Sequence, residues 1–187
     1  MVPMKRGKCR AIFLDRDGVI NKKAPEGDYV KNWDEFQFLP GVKEAIRKLN
    51  EKGFLVIVVS NQRGIAKGVM TEDDLKEIHA RMKEELRKER AVIDGIYYCP
   101  HDIEDHCGCR KPEPGMLLKA AREHDIDLGQ SWMIGDSESD IEAGRRAGCK
   151  TILIGSSPLN DISEGIEPDL IAKSLAEAVD KLLANNE

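Results

Sequence analysis

Apolar residues gather along this chain in two kinds of block. Short unbroken runs occur at Ala11-Ile12-Phe13-Leu14, Phe54 to Val59, Ile96-Tyr97-Tyr98, Trp132-Met133-Ile134 and Thr151-Ile152-Leu153-Ile154. A continuous apolar run rich in β-branched residues is the pattern of a strand buried on both faces, and Phe54 to Val59 has the makings of a central one. Between these runs the apolar positions recur at helical spacing. Val42, Ala45, Ile46 and Leu49 form one such face, introduced by Pro40-Gly41 and ended by Gly53. Leu75, Ile78, Met82 and Leu86 form another, in a charged stretch that Thr71 can cap, and Pro114 opens a third helix. Strands alternating with helices predict an α/β fold built on a doubly wound parallel sheet.

In such a sheet ligands bind just beyond the carboxyl ends of the strands. Four polar clusters are expected there: Asp15-Arg16-Asp17-Gly18 after the first strand, Ser60-Asn61-Gln62 after the second, Arg110-Lys111 in the loop after the third, and Gly135-Asp136 after the fourth. Two carboxylates one residue apart repel each other, and a divalent cation with oxygen ligands is the simplest way to neutralise them. A hydroxyl with its neighbouring backbone N–H groups can hold phosphoryl oxygens, a lysine can balance their charge, and a third carboxylate can complete an octahedral Mg²⁺ site. Taken singly, each cluster has a plainer explanation: an acidic turn, a loop hydroxyl, a solvated lysine, a helix cap. Their arrival at a single sheet edge is what argues for a phosphate-handling centre.

Composition narrows the partners. With 187 residues the chain fits one compact domain over positions 1–187, and its formal net charge of -5 argues against a life on nucleic acid or anionic membrane. A small phosphorylated metabolite fits better. No stretch approaches the ~20 apolar residues of a membrane span, and the first ten residues lack the apolar core of a secretion signal, so a cytoplasmic protein is expected. The absence of obvious apolar surface stripes favours a monomer.

A second signal lies in Cys99-Pro100-His101, five residues, then Cys107-Gly108-Cys109. Cys-x-His followed by Cys-x-Cys supplies a full N/S ligand set for tetrahedral Zn²⁺ with no position left open, the pattern of a structural site. His106, directly before Cys107, is a less natural ligand. The competing readings are a group of reduced thiols and a nucleic-acid-binding zinc knuckle, the latter weakened by the acidic chain and its few aromatics. Cys9 and Cys149 fall outside the pattern as packing or free thiols, and His79 and His124 read as packing or surface residues. Because Cys109 directly precedes Arg110-Lys111, a metal-bound loop is expected to fix both cations against the carboxylate crevice.

Taken in order, Asp15-Arg16-Asp17-Gly18, Ser60, Lys111 and Gly135-Asp136 resemble the four motifs of the haloacid dehalogenase superfamily phosphatases, a likeness running from about Ala11 to Ile154. The resemblance implies a Rossmann-like sheet, a nucleophilic Asp15, phosphoryl binding by Ser60 and Lys111, and Asp17 as general acid and base. It implies Mg²⁺ held by Asp15, Asp136 and the backbone carbonyl of Asp17. The segment from Asn21 to Leu39, with Tyr29 and Trp33, is too short for a large cap domain. Phosphoacceptor signalling domains also combine acids, a hydroxyl and a lysine. Asp17 argues against that class, because it offers the leaving-group proton and activated water that turnover needs.

Within the superfamily, the Cys/His loop resembles the branch that contains D-glycero-D-manno-heptose 1,7-bisphosphate 7-phosphatases and histidinol-phosphate phosphatases. The run from Ser60 to Gly68, and Cys109-Arg110-Lys111-Pro112 with Pro114-Gly115-Met116, are closer to the heptose enzymes. That likeness places Asn61, Gln62, Arg63 and Arg110 on the substrate, although heptose phosphatases often carry a small polar residue where Arg63 stands. The short connection between His101 and Cys107 is closer to the histidinol-phosphate enzymes. A second sugar phosphate would suit Arg110 and Arg63, whereas the amine of histidinol phosphate would suit Glu104 or Asp105.

Overall fold

Ala11–Leu14 forms strand β1, and all four of its side chains are completely buried. The computed structural model describes residues 7–155 and 165–184. β1 pairs with β2 (Leu55–Asn61) on one side and β4 (Trp132–Gly135) on the other. With β3 (Gly95–Cys99), β5 (Lys150–Ile154) and β6 (Leu170–Ala172), the sheet runs β3-β2-β1-β4-β5-β6, and every pairing is parallel. The helices are α1 (Val42–Glu51), α2 (Glu72–Lys88), α3 (Gly115–Glu123), α4 (Glu138–Ala147) and α5 (Leu175–Ala184).

The pleat of β1 divides the core in two. Ile12 and Leu14 join Val56 and Val58 of β2 under α1, α2 and α5, while Ala11 and Phe13 join Ile57 and Val59 under α3 and α4. At roughly 1.5–3 kcal/mol for each large side chain fully removed from water, Ile12, Phe13 and Leu14 alone anchor both layers. A one-residue slip in β1 would exchange the two sets, so its register is strongly fixed.

All five expected strands are present, within a residue or two of their expected bounds. Gly41 precedes α1 with φ +76°, a left-handed conformation suited to glycine. Thr71 caps α2 by accepting from the Asp74 N–H at 3.1 Å, while the Asp74 carboxylate accepts from the Thr71 N–H at 2.8 Å. β6 and α5 were not among the expected elements, and they extend the sheet beyond β5. Successive connections leave β1 in one direction through β2 and β3, and leave β4 in the other through β5 and β6. The carboxyl ends of β1 and β4 therefore flank the crevice where the winding reverses. Among the described residues, no helix is long and apolar enough to cross a membrane.

Candidate active site

Asp15 leaves the end of β1 with its backbone N–H bonded to the Ile134 carbonyl at 3.0 Å, which binds the first turn of the crevice to β4. Its carboxylate meets Lys111, a side chain buried more deeply still. The Lys111 ammonium lies 2.8 Å from Asp15 Oδ1 and 2.6 Å from Asp140 Oδ1, and donates to the Val59 carbonyl at 2.8 Å. Three N–H donors thus have three oxygens, so the buried ammonium is fully satisfied. Burial alone would lower the Lys111 pKa, but the charges of Asp140 and Asp15 lift it well above the ordinary lysine value. Asp15 is pushed up to about 7 by burial and by Asp140, with Lys111 opposing and Asp136 adding to the rise.

Asn61, at the end of β2, fixes the loop that carries Lys111. Its amide nitrogen donates to the Lys111 carbonyl at 3.1 Å, and its amide oxygen accepts from the Lys111 N–H at 3.0 Å. Where the motif resemblance expects a substrate contact, the Asn61 amide is thus bonded at both ends within the protein. Gln62 is similarly placed: its amide nitrogen donates to Ser60 Oγ at 2.8 Å and to Asp17 Oδ2 at 3.0 Å, joining the hydroxyl of β2 to the second carboxylate.

Asp17 stands at the crevice mouth among cations and amides. Arg16 donates to it from Nε and Nη2, with the closest approach 3.0 Å, and the Asn21 amide donates at 2.8 Å. Burial works against ionisation, yet the Arg16 charge and the bonds from Asn21, Arg16 and Gln62 outweigh it and hold this carboxyl below the usual range. Arg16 is itself completely buried and also meets His79 Nε2 of α2 at 3.3 Å. Burial first, and then the Arg16 charge, push the His79 imidazole down to about 3 against the pull of Asp17, so the ring is neutral and its Nε2 accepts.

Asp136 follows β4 and faces the turn after Asp15. A side chain at Gly18 would place its Cβ 2.0 Å from Asp136 Oδ2, and φ there is +94°, so glycine is required on both counts. Lys23 reaches the same oxygen at 2.6 Å, while Asp136 Oδ1 is buried with no hydrogen-bond partner among the described residues. Asp15, Asp136 and Asp140 bring carboxylate oxygens within 4.8 Å of one another. Of the three, Asp140 is already committed: Oδ1 to Lys111, and Oδ2 to the N–H groups of Asp136 and Ser137 and to the Ser137 hydroxyl. The open oxygen of Asp136 beside Asp15 is therefore the feature that fits a hard divalent cation such as Mg²⁺. The sequence reading missed Asp140, although it lies four residues after Asp136. Its capping pattern with Ser137 accounts for an acid at that position and so masks its bond to Lys111.

The four Cys/His side chains come together as the spacing suggests. Cys99 Sγ lies 3.4 Å from Cys107 Sγ and 3.1 Å from Cys109 Sγ, those two are 3.4 Å apart, and His101 Nδ1 is 3.5 and 3.3 Å from Cys99 and Cys109. Zn–S bonds of about 2.3 Å in a tetrahedron call for sulfur separations near 3.8 Å, close to this arrangement. Cys9 is exposed and Cys149 buried, both as free thiols.

Beside this cluster, Arg110 donates to the His101 carbonyl at 3.5 Å, and Arg63 donates from Nε to Asp102 Oδ1 at 2.5 Å. A cleft of about 550 Å³ lies over Arg110 and Lys111, walled by Asn61, Ile103, Cys107, Glu113 and Ser139 among others. A neighbouring cleft of about 460 Å³ runs from Asp17 along Lys23 to Val30, with Tyr29 in its wall. Arg110 and Lys111 thus line one cleft and Asp17 the other.

The HAD-hydrolase-like family model matches residues 108–178. The chain is 38% identical to D-glycero-alpha-D-manno-heptose-1,7-bisphosphate 7-phosphatase of Mycobacterium bovis over 170 residues, 88% of this chain and 89% of that protein. It is 41% identical to D-glycero-beta-D-manno-heptose-1,7-bisphosphate 7-phosphatase of Photorhabdus laumondii over 176 residues, 89% of this chain and 92% of that protein. In three dimensions it resembles the D,D-heptose 1,7-bisphosphate phosphatase of B. bronchiseptica, crystallised with magnesium and phosphate, with a TM-score of 0.84, 35% identity, and coverage of 94% of this chain and 99% of that one. The chain belongs to the haloacid dehalogenase-like hydrolases, in the phosphatase family that includes the heptose-bisphosphate 7-phosphatases.

Proposed function

We propose that this protein is a Mg²⁺-dependent phosphomonoester hydrolase that removes the 7-phosphate of D-glycero-D-manno-heptose 1,7-bisphosphate through an aspartyl-phosphate on Asp15. The observation that carries the reading is the buried Asp15 carboxylate set between Lys111 and Asp136 at the strand edge, in a chain whose relatives across about nine-tenths of its length bear that name. Asp15 attacks phosphorus in line and displaces the sugar alkoxide. Lys111 and the groups around Ser60 balance the charge that gathers on the phosphoryl oxygens. Mg²⁺ held by Asp15, Asp136 and the Asp17 backbone carbonyl supplies further neutralisation of those oxygens when bound.

Asp17 protonates the leaving oxygen, then takes a proton from the water that attacks the phosphorus of phospho-Asp15 and frees inorganic phosphate. The bonds from Arg16, Asn21 and Gln62 hold Asp17 in the ionised form needed for that second half. The arriving phosphate dianion favours its protonated form, because added negative charge raises a carboxyl's proton affinity. Cys99, His101, Cys107 and Cys109 hold a structural Zn²⁺ that keeps Arg110 and Lys111 in place. The reading extends to a cytoplasmic monomer of one domain over residues 1–187. Its support is the net charge of -5 and a described surface on which Val69, Val92 and Ile103 are the exposed large apolar residues.

A phosphate-release panel with Mg²⁺ tests the assignment, using both anomers of the heptose bisphosphate, histidinol phosphate and simple sugar phosphates. The bisphosphate is expected to give the highest kcat/KM, and a strong preference for histidinol phosphate would overturn the substrate. Asp15→Asn is expected to abolish turnover; a folded variant that turns over normally would overturn the mechanism.

A further inference from the structure

Arg16 is completely buried, and its guanidinium works in two directions. Towards the crevice, Nη2 donates to both oxygens of Asp17, at 3.0 and 3.1 Å, and Nε donates to Oδ1 at 3.3 Å. Away from the crevice, Nη1 meets Nε2 of His79 at 3.3 Å. Asn21 and Gln62 each hold one Asp17 oxygen, whereas Arg16 touches both and so sets the plane of the carboxylate.

His79 comes from an element that otherwise serves the core. Its neighbours on α2, Leu75, Ile78 and Met82, are completely buried, and the ring of Tyr98 on β3 lies 6.1 Å from the imidazole. An apolar side chain would complete this packing, yet the residue there aims a ring nitrogen at a buried cation. The type of acceptor matters. A carboxylate in that place would share the Arg16 charge and weaken its hold on Asp17, whereas a neutral imidazole takes one N–H and leaves the positive charge to Asp17. Burial and the Arg16 charge together keep the ring neutral.

We propose that His79 is a positioning residue for proton transfer at Asp17: it anchors Arg16 from α2, and Arg16 holds the Asp17 carboxyl in the orientation that serves the leaving oxygen. His79 itself touches no substrate. The inference rests on the assignment of Asp17 as general acid under the functional reading above. In that step the phosphorus–oxygen bond of the ester breaks, its electron pair passes to the leaving oxygen, and the Asp17 carboxyl proton moves to that same oxygen. A sugar alkoxide needs the proton, while a nitrophenolate ion leaves without it.

The experiment therefore compares two esters in the Mg²⁺-loaded enzyme: the alkyl phosphate that wild type hydrolyses best and 4-nitrophenyl phosphate. The readout is kcat/KM, which covers the steps through loss of the leaving group, with folding checked by urea unfolding at pH 7. His79→Leu removes the acceptor and is expected to lower kcat/KM for the alkyl ester by about ten- to a hundredfold, the scale of a displaced catalytic group, and for the aryl ester by less than about threefold. His79→Gln, which can place an amide oxygen where Nε2 stands, should return the alkyl rate to within about threefold of wild type. His79→Asn is polar but one bond too short; it should show the alkyl-selective loss and carries the test if the leucine variant does not fold. Equal losses on the two esters, no loss on either, or a glutamine variant as impaired as the leucine one overturns the inference. Asp17→Asn is the reference for the functional reading and should lose the alkyl ester selectively by about a hundredfold or more. If it loses both esters alike, the role of Asp17 as general acid fails, and that of His79 with it.

Discussion

Lys111 is the side chain on which the buried charges balance. One ammonium sits between two carboxylates, each within 2.8 Å, and its third proton is taken by a strand carbonyl. Removing one member of such a set leaves a buried charge without its partner, which typically costs about 3–5 kcal/mol. Asp140 is the member whose loss separates support from chemistry, because it grips Lys111 and the turn at Asp136 but leaves the nucleophile in place. Asp140→Ala is expected to destabilise the protein by that amount in urea unfolding, and to lower kcat by about 10²-fold as Lys111 loses its alignment. Asp140→Asn, which retains acceptors for the two backbone N–H groups, should recover part of the stability but little of the rate. Wild-type unfolding and turnover in the alanine variant would show that Lys111 needs no second carboxylate.

At the scale of elements, α2 reaches into the site through His79 and Arg16. A neutral histidine buried at about pKa 3 makes folding sensitive to acid. The unfolded chain binds a proton near pH 6.5 that the folded chain refuses, so this contribution is complete above pH 6.5 and is lost as pH falls from there towards 3. The slope is at most about 1.4 kcal/mol per pH unit. Between pH 7 and 5, wild type should therefore lose more unfolding free energy than His79→Gln, and parallel curves would rule out a neutral buried ring. This contact also marks the boundary of what the sequence discloses. Asp15, Ser60 and Asp136 were legible because each closes or follows an unbroken apolar run, and an acid or hydroxyl is conspicuous there. Lys111 was legible through its place in the ordered set. Arg16, His79 and Asp140 were not, since a buried Arg–His contact joins positions 63 residues apart and an acid in a first helical turn already has a capping role. Nor was the work of Asn61 and Gln62, whose amide bonds depend on how the Lys111 loop and the Asp17 turn pass each other. β6 escaped because Leu170–Ala172 is only three residues long.

Over the whole molecule, the Cys/His cluster ties together segments that the sheet alone does not hold. Cys99 ends β3, and Gly115 at the start of α3 donates its N–H to the Gly108 carbonyl at 3.1 Å, so closely that a side chain there would meet that oxygen at 2.1 Å. From this loop run the links to Arg63, through Asp102, and to Arg110, through His101. The central strands β1, β2 and β4 place buried side chains in both helical layers, so losing the metal should leave the sheet folded while loosening the cleft. Chelation strips Mg²⁺ as well, which makes Cys107→Ser the cleaner probe: it removes a thiolate from a half-exposed position and leaves the Asp15 crevice untouched. Far-ultraviolet circular dichroism of this variant should remain close to wild type. Its zinc content should fall, and its Tm should drop by more than about 5 °C, equivalent to roughly 2 kcal/mol for a chain of this size. With Mg²⁺ restored in excess, kcat/KM should fall further for the bisphosphate than for the monophosphate, because two arginines lose their anchor while Lys111 keeps Asp15 and Asp140. If zinc-free protein instead melts and turns over like wild type, the cluster does not organise the cleft, and the arginines must owe their placement to the β2 and β3 loops themselves.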